Sequence, residues 1–225
     1  MAEPIDLARR RRRMGAGLVR RRTAGSHGET PAFDPAVLST PLAQVTFVIV
    51  DVETTGLDPA RDLIVEIGSV KVRDGRIVEE YDTLVGIDRT IPFAAQRVNH
   101  ITNEMLIGKP RIDRVLPTFL NFAGAGTLVE HSHKAFDVGF LEAALGRRLA
   151  VPYINTCTLS RRLFPFVPKH SLDECCRRHA IVRTSAHRAL GDARATAELL
   201  VCLLGMCSTR YPRLGDLLSA ASIER

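Results

Sequence analysis

The sequence has no long apolar run and no paired cysteines, and each absence excludes a class of protein. Its longest apolar runs, at residues 47–50 and 199–204, are far shorter than the roughly 20 residues that cross a bilayer. Residues 14–19 contain two glycines and are flanked by arginines, so they do not form the apolar core of a secretory signal. The five cysteines are odd in number and none belongs to a C-x-x-C pair, which argues against a disulfide framework or a zinc knuckle. We therefore expect a cytoplasmic protein with reduced thiols and no membrane partner.

The composition is that of one globular domain with a short extension. The chain has 225 residues, of which 45% are hydrophobic and 25% charged, so wholesale disorder and collagen-like repeats are excluded. The net charge of +6 is unevenly placed. Residues 1–40 carry eight arginines against four acidic residues, so the basic character is concentrated near the N-terminus.

Residues 1–42 mix arginine, glycine, proline and alanine without a sustained helical or strand period, apart from a short helical pattern at residues 5–13. We expect a basic, flexible N-terminal arm over 1–42 and a folded domain over 43–225. Two readings of the arm stay open. It is either a solvated linker, as many blocks of like charge are, or a segment that contacts the phosphates of a nucleic acid and releases their counterions.

The apolar pattern predicts an α/β domain that opens with an antiparallel meander. Residues 45–52 form a nearly continuous β-branched run that residues 54–59 bring to an end, and Asp74-Gly75 predicts a hairpin turn. Strands and helices then alternate, which indicates a mixed sheet flanked by helices. The predicted strands are 45–52, 63–72, 76–85, 127–130 and 153–156; the predicted helices are 102–106, 112–122, 136–145, 158–163, 171–179, 189–207 and 214–220.

Two acidic residues end the first predicted strand. Because side chains alternate faces along a strand, Asp51 and Glu53 point to the same side. Carboxylates that close resist joint ionisation unless a positive charge lies between them, and a divalent cation supplies that charge. A D-x-E triplet alone is expected about once by chance in a chain of this length. Its place at the end of an apolar strand is what indicates a site.

Two further segments carry residues that suit the same chemistry. Asp137 follows a short strand and begins a helix, a position where an aspartate also stabilises the helix N-terminus. His187 and Asp192 are five residues apart and cannot share one face of a continuous helix. We therefore expect His187 on a loop and Asp192 in the first turns of the helix that follows it. Each of these residues, taken alone, also suits an ordinary structural role.

Taken together, these segments resemble the three motifs of the DEDDh family of DnaQ-like 3′-5′ exonucleases, typified by the epsilon proofreading subunit of DNA polymerase III. The matching segments are Asp51-Val52-Glu53-Thr54-Thr55-Gly56, Phe136-Asp137 and His187-x-Ala189-x-x-Asp192, in the family's order over residues 46–206. The resemblance implies an RNase H-like fold with a five-stranded mixed sheet flanked by helices. It also implies that Asp51, Glu53, Asp137 and Asp192 are metal ligands and that His187 is the general base.

An all-oxygen ligand set selects hard cations, so the cofactors expected are two divalent ions, Mg²⁺ or Mn²⁺. The implied activity is hydrolysis of terminal phosphodiesters in single-stranded or frayed DNA 3′ ends, releasing nucleoside 5′-monophosphates in proofreading or repair. The implied partners are DNA 3′ ends and a DNA polymerase or another repair protein. Two alternatives remain: an RNA exonuclease of the ribonuclease T or oligoribonuclease kind, and a non-catalytic nucleic-acid-binding module.

The resemblance also suggests residues that contact the terminal nucleotide. The chain departs from the family at two of these places. Ser132-His133 stands where the family commonly has His-Asn before the Phe-Asp pair, and Val98-Asn99-His100 stands where it commonly has Val-His-Gly. Neither departure touches an implied metal ligand, so they bear on how the nucleotide is held. The candidate substrate contacts are Thr54, Thr55, Gly56, Leu57, Asn99, His100, His133 and Phe136.

Overall fold

The computed structural model describes residues 33–221 and builds them around one five-stranded sheet in the order β3-β2-β1-β4-β5. β1 pairs antiparallel with β2 and parallel with β4, so the sheet is mixed as predicted. β2 and β3 form the antiparallel hairpin, and β4 and β5 are parallel. The strands are β1 (Phe47–Thr54), β2 (Ile64–Arg73), β3 (Arg76–Leu84), β4 (Thr127–Glu130) and β5 (Tyr153–Asn155).

Helices cover both faces of the sheet. They are α1 (Phe93–Asn99), α2 (Ile112–Ala123), α3 (Phe136–Leu145), α4 (Thr156–Leu163), α5 (Leu172–Arg178), α6 (Ala189–Cys207) and α7 (Leu214–Ala221). Two local predictions were wrong. The pattern gave no helix where α1 lies, and the helix predicted over 102–106 is a single 3₁₀ turn, Glu104–Leu106. None of the helices within residues 33–221 is long and apolar enough to span a membrane.

Two apolar cores lie on opposite sides of the sheet. One core packs α6 and α7 against the residues of β1 and β2 that point to one face of the sheet, such as Phe47 and Ile49. The other packs α2 and α3 against the intervening residues, such as Val48 and Val50. This alternation follows from the two-residue period of a strand. Because β1 is covered on both faces, the polar side chains at its carboxyl end are held by a rigid element.

The first described residues belong to the folded domain. The 3₁₀ helices Pro35–Ser39 and Leu42–Gln44 lie next to α7, and the amide of Leu42 donates to the carbonyl of Pro212 at 3.1 Å. Residues 35–42, which we predicted as part of the arm, are thus held by contacts with a distant helix although they have no period of their own. Residues 1–32 of the predicted arm, with the short helical pattern at 5–13, lie outside the described residues.

Helix α6 approaches the sheet unusually closely at its N-terminus. A Cβ atom on Gly68 of β2 would overlap the backbone of Ala189 and Leu190. Only glycine permits this approach, because it has no side chain. The close packing places the first turn of α6 beside the carboxyl end of β1.

Candidate active site

Three acidic side chains meet at the carboxyl end of β1. Asp51 and Glu53 of β1 and Asp192 of α6 each offer an oxygen atom, and these oxygens lie within 4.8 Å of one another. We call these three residues the carboxylate cluster. The strand period brings Asp51 and Glu53 to the same face, as predicted, and the close approach of α6 brings Asp192 to them. Oxygen atoms at this separation can share one hard divalent cation.

Asp137 lies beside the cluster and is held by β1. It stands in the first turn of α3, is buried, and accepts a hydrogen bond at Oδ1 from the backbone amide of Val52 at 2.9 Å. Its charge acts on Asp51, because it raises the pKa of that carboxyl. The structure thus brings all four predicted acidic residues to one edge of the sheet, with Asp137 in contact with the strand backbone.

Burial and mutual repulsion disfavour the ionised forms of the carboxyl groups at this site. Burial raises the pKa of Asp51 well above its ordinary range, and the charges of Asp137, Asp192 and Glu53 raise it further. Burial, followed by the charge of Asp192, raises the pKa of Glu53 to about 8. The pKa of Asp137 is likewise raised, first by burial and then by Glu130. A cation bound among these groups would stabilise their ionised forms.

A second buried acid fixes the start of α3. Glu130, at the end of β4, is fully buried and accepts hydrogen bonds from the backbone amides of Phe136 at 3.0 Å and Val138 at 2.8 Å. Ser132 also donates its hydroxyl to Glu130 at 2.5 Å. These donors include amides of the first turn of α3, which would otherwise lack partners. Glu130 therefore orients the helix that carries Asp137.

A third buried acid fixes the start of α6. Glu66 of β2 is fully buried and accepts from Arg188 Nε at 3.1 Å and from the amide of Ala189 at 2.9 Å. Glu66 lies directly opposite Glu53 in the β1–β2 register. The ion pair therefore fixes both the N-terminus of α6 and the residue that follows His187. Sequence reasoning missed Glu66 and Glu130; an acidic residue inside or ending an apolar strand run was the available signal.

His187 lies on the loop between α5 and α6, as predicted. Its backbone amide donates to Asp192 Oδ2 at 3.2 Å, and its φ of 61° places it in the left-handed region. The side chain is exposed. The structure thus puts the histidine backbone against the cluster and leaves its ring open to solvent. Arg183, on the same loop, was not predicted as a site residue; it donates Nε to Asp192 Oδ1 at 2.7 Å and Nη2 to Oδ2 at 2.6 Å.

The loop after β1 forms a compact turn next to the cluster. The Thr54 hydroxyl donates to the carbonyl of Gly56 at 2.5 Å, and the Thr55 hydroxyl donates to Asp62 Oδ1 at 3.2 Å. A Cβ atom on Gly56 would overlap the carboxylate of Asp62, which would then have to move from its place beside Thr55. Leu57 projects from the turn with 83% of its surface exposed. Of these four candidate contacts, Leu57 is therefore the most available to a bound molecule.

Two further candidate contacts differ in whether their side chains are exposed or already hydrogen-bonded within the fold. Asn99 is buried, its amide donates to the carbonyl of Thr54 at 3.4 Å, and its oxygen accepts from Ile101 N at 3.0 Å. Its polar atoms thus tie the end of α1 to the end of β1, and a contact between Asn99 and substrate stays a prediction. His100 ends α1 and is exposed.

The two candidates of the second motif lie around α3. His133 is exposed, and its Nδ1 pairs with the guanidinium of Arg161. Phe136 is half-buried and stacks on Phe140 with ring centroids 4.9 Å apart, so part of its ring serves the core. His131, between them and the sheet, is fixed through Thr156 Oγ1 at 2.8 Å and the His170 carbonyl at 2.9 Å, and burial lowers its pKa to about 4. His131 is thus a structural histidine.

The sheet order and the acidic edge define a class of protein: an RNase H-like enzyme that cleaves phosphodiesters by exonuclease action. The family model described as Exonuclease, of the RNase T group, matches residues 48–200. The chain belongs to this exonuclease family. The expected fold class and enzyme class are thereby confirmed.

Relatives and solved structures agree with this assignment. The chain is 34% identical over 184 residues to the DNA polymerase III subunit epsilon of Aquifex aeolicus, covering 80% of this chain and 90% of that subunit. It is 41% identical over 157 residues to the PolC-type DNA polymerase III of Clostridium perfringens, covering 68% of this chain and 11% of that polymerase. Exonuclease X, solved with 5′-overhanging duplex DNA, has a TM-score of 0.64 and 33% identity, with 76% of this chain and 99% of that chain covered.

Proposed function

We propose that this chain is a metal-dependent 3′-5′ exonuclease that removes nucleoside 5′-monophosphates from DNA ends. The observation that carries the proposal is the carboxylate cluster, with three ligand oxygens within 4.8 Å at the end of a buried strand. Among the described residues, no N–H or O–H group donates to the side chains of Asp51 and Glu53. Half-buried carboxylates that accept no hydrogen bond are costly unless a cation binds them.

The donor set fits Mg²⁺ or Mn²⁺, because all of its atoms are carboxylate oxygens. Asp51, Glu53 and Asp192 would hold a cation, and Asp137, which the Val52 amide fixes at the start of α3, would add a carboxylate oxygen. Two such ions would supply charge stabilisation at the phosphate and favour formation of the hydroxide nucleophile. The protein contributes rigidity, through β1 and through the anchored starts of α3 and α6.

His187 is proposed as the general base. An exposed imidazole on a loop whose backbone is tied to Asp192 stands beside the acidic edge and can take a proton from an attacking water. Histidine is the side chain best suited to this step near neutral pH. The proton then leaves to solvent from the exposed ring. His131 does not suit this role, because both of its ring nitrogens are engaged.

DNA is the proposed substrate. Exonuclease X was solved with duplex DNA, and the epsilon and PolC-type relatives are named as parts of DNA polymerase III. Among the candidate contacts, Leu57, His100 and His133 are exposed and Phe136 is half-buried, so these four offer surface to a bound nucleotide. We further propose a DNA polymerase as the partner protein. The free cysteines of the described residues suit a reducing cytoplasm.

The test is product analysis on single-stranded and duplex DNA carrying either a 3′ or a 5′ label, with matched RNA strands alongside. With Mg²⁺, we expect 3′-labelled DNA to release its label at once as a nucleoside 5′-monophosphate. We expect 5′-labelled DNA to give a ladder of progressively shorter strands. Chelation should stop both. Faster digestion of RNA than of DNA would identify RNA as the substrate. Undiminished nucleotide release by the Asp192→Asn variant would refute the proposed site.

A further inference from the structure

Arg183 is bonded to the carboxylate cluster more extensively than any other described cation. Its guanidinium donates to both oxygens of Asp192, at 2.7 and 2.6 Å, and also to Asp173 on the first turn of α5. The Arg183 and Asp192 side chains are 11% and 8% exposed. This is a two-point contact in a poorly hydrated place, the geometry for which arginine is better suited than lysine.

The hydrogen bonds that Asp192 accepts leave one lone pair of its carboxylate open to another ligand. Oδ2 accepts from Arg183 Nη2 and from the amide of His187, which uses both of its lone pairs. Oδ1 accepts only from Arg183 Nε, so it keeps one lone pair. Arg183 therefore determines which oxygen of Asp192 faces the cluster.

The same contacts hold the loop that carries His187. Arg183 belongs to that loop and joins it to α5 through Asp173 and to α6 through Asp192. Gly191 of α6 lies against the carbonyls of Thr184 and Ser185, so the loop has little freedom on its inner side. Loss of the arginine would remove the side chain that connects all three segments.

Arg183 also brings a positive charge to a place that binds cations. Its charge acts on Asp51 and Glu53 as well as on Asp192. The neighbouring Arg188 is instead engaged by Glu66 on the far side of Glu53. A unit positive charge held against a carboxylate repels a second cation that binds to the same group.

We propose that Arg183 is a positioning residue with two opposed effects: it fixes Asp192 and the His187 loop for turnover, and its charge weakens divalent-cation binding by the cluster. The proposal rests on the metal site of the proposed function. It predicts an unusual combination, in which one substitution tightens metal binding and slows the reaction. A residue that only maintained the fold would lower both.

The test is calorimetric titration of the DNA-free protein with Mn²⁺, with kcat and KM measured separately on a short oligonucleotide at saturating Mn²⁺. We expect Arg183→Gln to bind Mn²⁺ about tenfold more tightly and to lose about tenfold in kcat with little change in KM. Arg183→Lys keeps the charge without the two-point contact, so its Mn²⁺ affinity should stay near wild type while kcat falls.

Arg194→Gln is the matched control. Arg194 lies on α6, the helix of Asp192, and makes the same two-point contact, at 2.8 and 2.5 Å, with Glu80 instead of a cluster residue. It should leave Mn²⁺ affinity and kcat unchanged. Unchanged or weaker Mn²⁺ binding by Arg183→Gln, or full kcat in Arg183→Lys, would overturn the proposal. If wild type bound no Mn²⁺, the proposed function itself would fail together with this inference.

Discussion

Two sets of acidic residues lie at one edge of the sheet and differ in what surrounds them. Glu66 and Glu130 are fully buried, and each accepts at least two hydrogen bonds from backbone amides or an arginine. Asp51 and Glu53 receive no such donor from the described residues, and the pKa of each is raised by burial and neighbouring carboxylates. The first set anchors helices, whereas the second is arranged for a cation.

The comparison separates structure from chemistry within the site. A buried carboxylate that has its donors stabilises the fold, whereas one without them costs free energy until an external cation binds. The two sets lie close together, because Glu53 is paired in register with Glu66. Substitutions in the two sets should therefore affect activity and stability in opposite ways.

The largest expected effect is in the cluster. Asp51→Asn should lower nuclease activity by roughly a thousandfold or more, because it removes a charge needed for metal binding at the reacting phosphate. The same change should raise the Tm in chelator, because it removes a repelling buried charge. Activity assays and thermal melts check both outcomes, with Asp113→Asn on the exposed face of α2 as control. Retained activity of Asp51→Asn, or a lower Tm of this variant in chelator, would contradict the distinction between the two sets of acidic residues.

The next effect is in the anchoring set. Glu66→Gln should lower the free energy of unfolding by about 2 kcal/mol, because it leaves the Arg188 guanidinium without its carboxylate beside a buried strand. Denaturant unfolding measures the change. Glu79→Gln, on the adjacent strand, removes an ion pair with Lys71 whose acid is 54% exposed, and should cost less than about 1 kcal/mol. Equal losses in the two variants would contradict the distinction.

A pH dependence should follow from the raised pKa of Glu53. Between its ordinary pKa of 4.5 and about 8, the folded protein keeps a proton that the unfolded chain has lost. The free energy of unfolding should therefore fall as pH rises across that interval, and level off above it. In chelator, the Tm should be lower at pH 8.5 than at pH 6. Adding Mg²⁺ should raise the Tm by more at pH 8.5 than at pH 6. The same pH dependence in Glu53→Gln would show that another group is responsible.

The smallest effect concerns the basic segment outside both sets. Deleting residues 1–32 should weaken binding to long DNA and flatten its salt dependence, because eight arginines are removed. Turnover of a short oligonucleotide at saturation should change little, since the cluster is intact. Anisotropy titrations at several salt concentrations check this. An unchanged salt slope would leave these residues as a linker.

The strands and long helices were predictable because their apolar periods are strong. β1, β2 and α6 are long and covered by core, so their pattern is clear in the sequence. Helix α1 was not predictable from its pattern, because it has seven residues and leaves Phe93 and Val98 largely exposed. The packing of residues 35–44 on α7 depends on a contact across the whole chain and leaves no local signal.

The acidic residues of the site were predictable, whereas their supports were not. Asp51, Glu53, Asp137 and Asp192 stand in recognisable motifs, and the structure gathers them at one edge. Arg183 lies nine residues from Asp192 and has no motif of its own, so only the fold shows their contact. The contact between Glu66 and Arg188 spans 122 residues. The contact that Asn99 makes with the end of β1 was not predictable either, because the burial of its side chain is a property of the fold.

The most direct test of the central claim is a crystal soaked in Mn²⁺ and measured for anomalous scattering. We predict a peak among Asp51, Glu53 and Asp192, about 2.1 Å from an oxygen of each. A fully occupied Mn²⁺ peak elsewhere, with none at the carboxyl end of β1, would contradict the account.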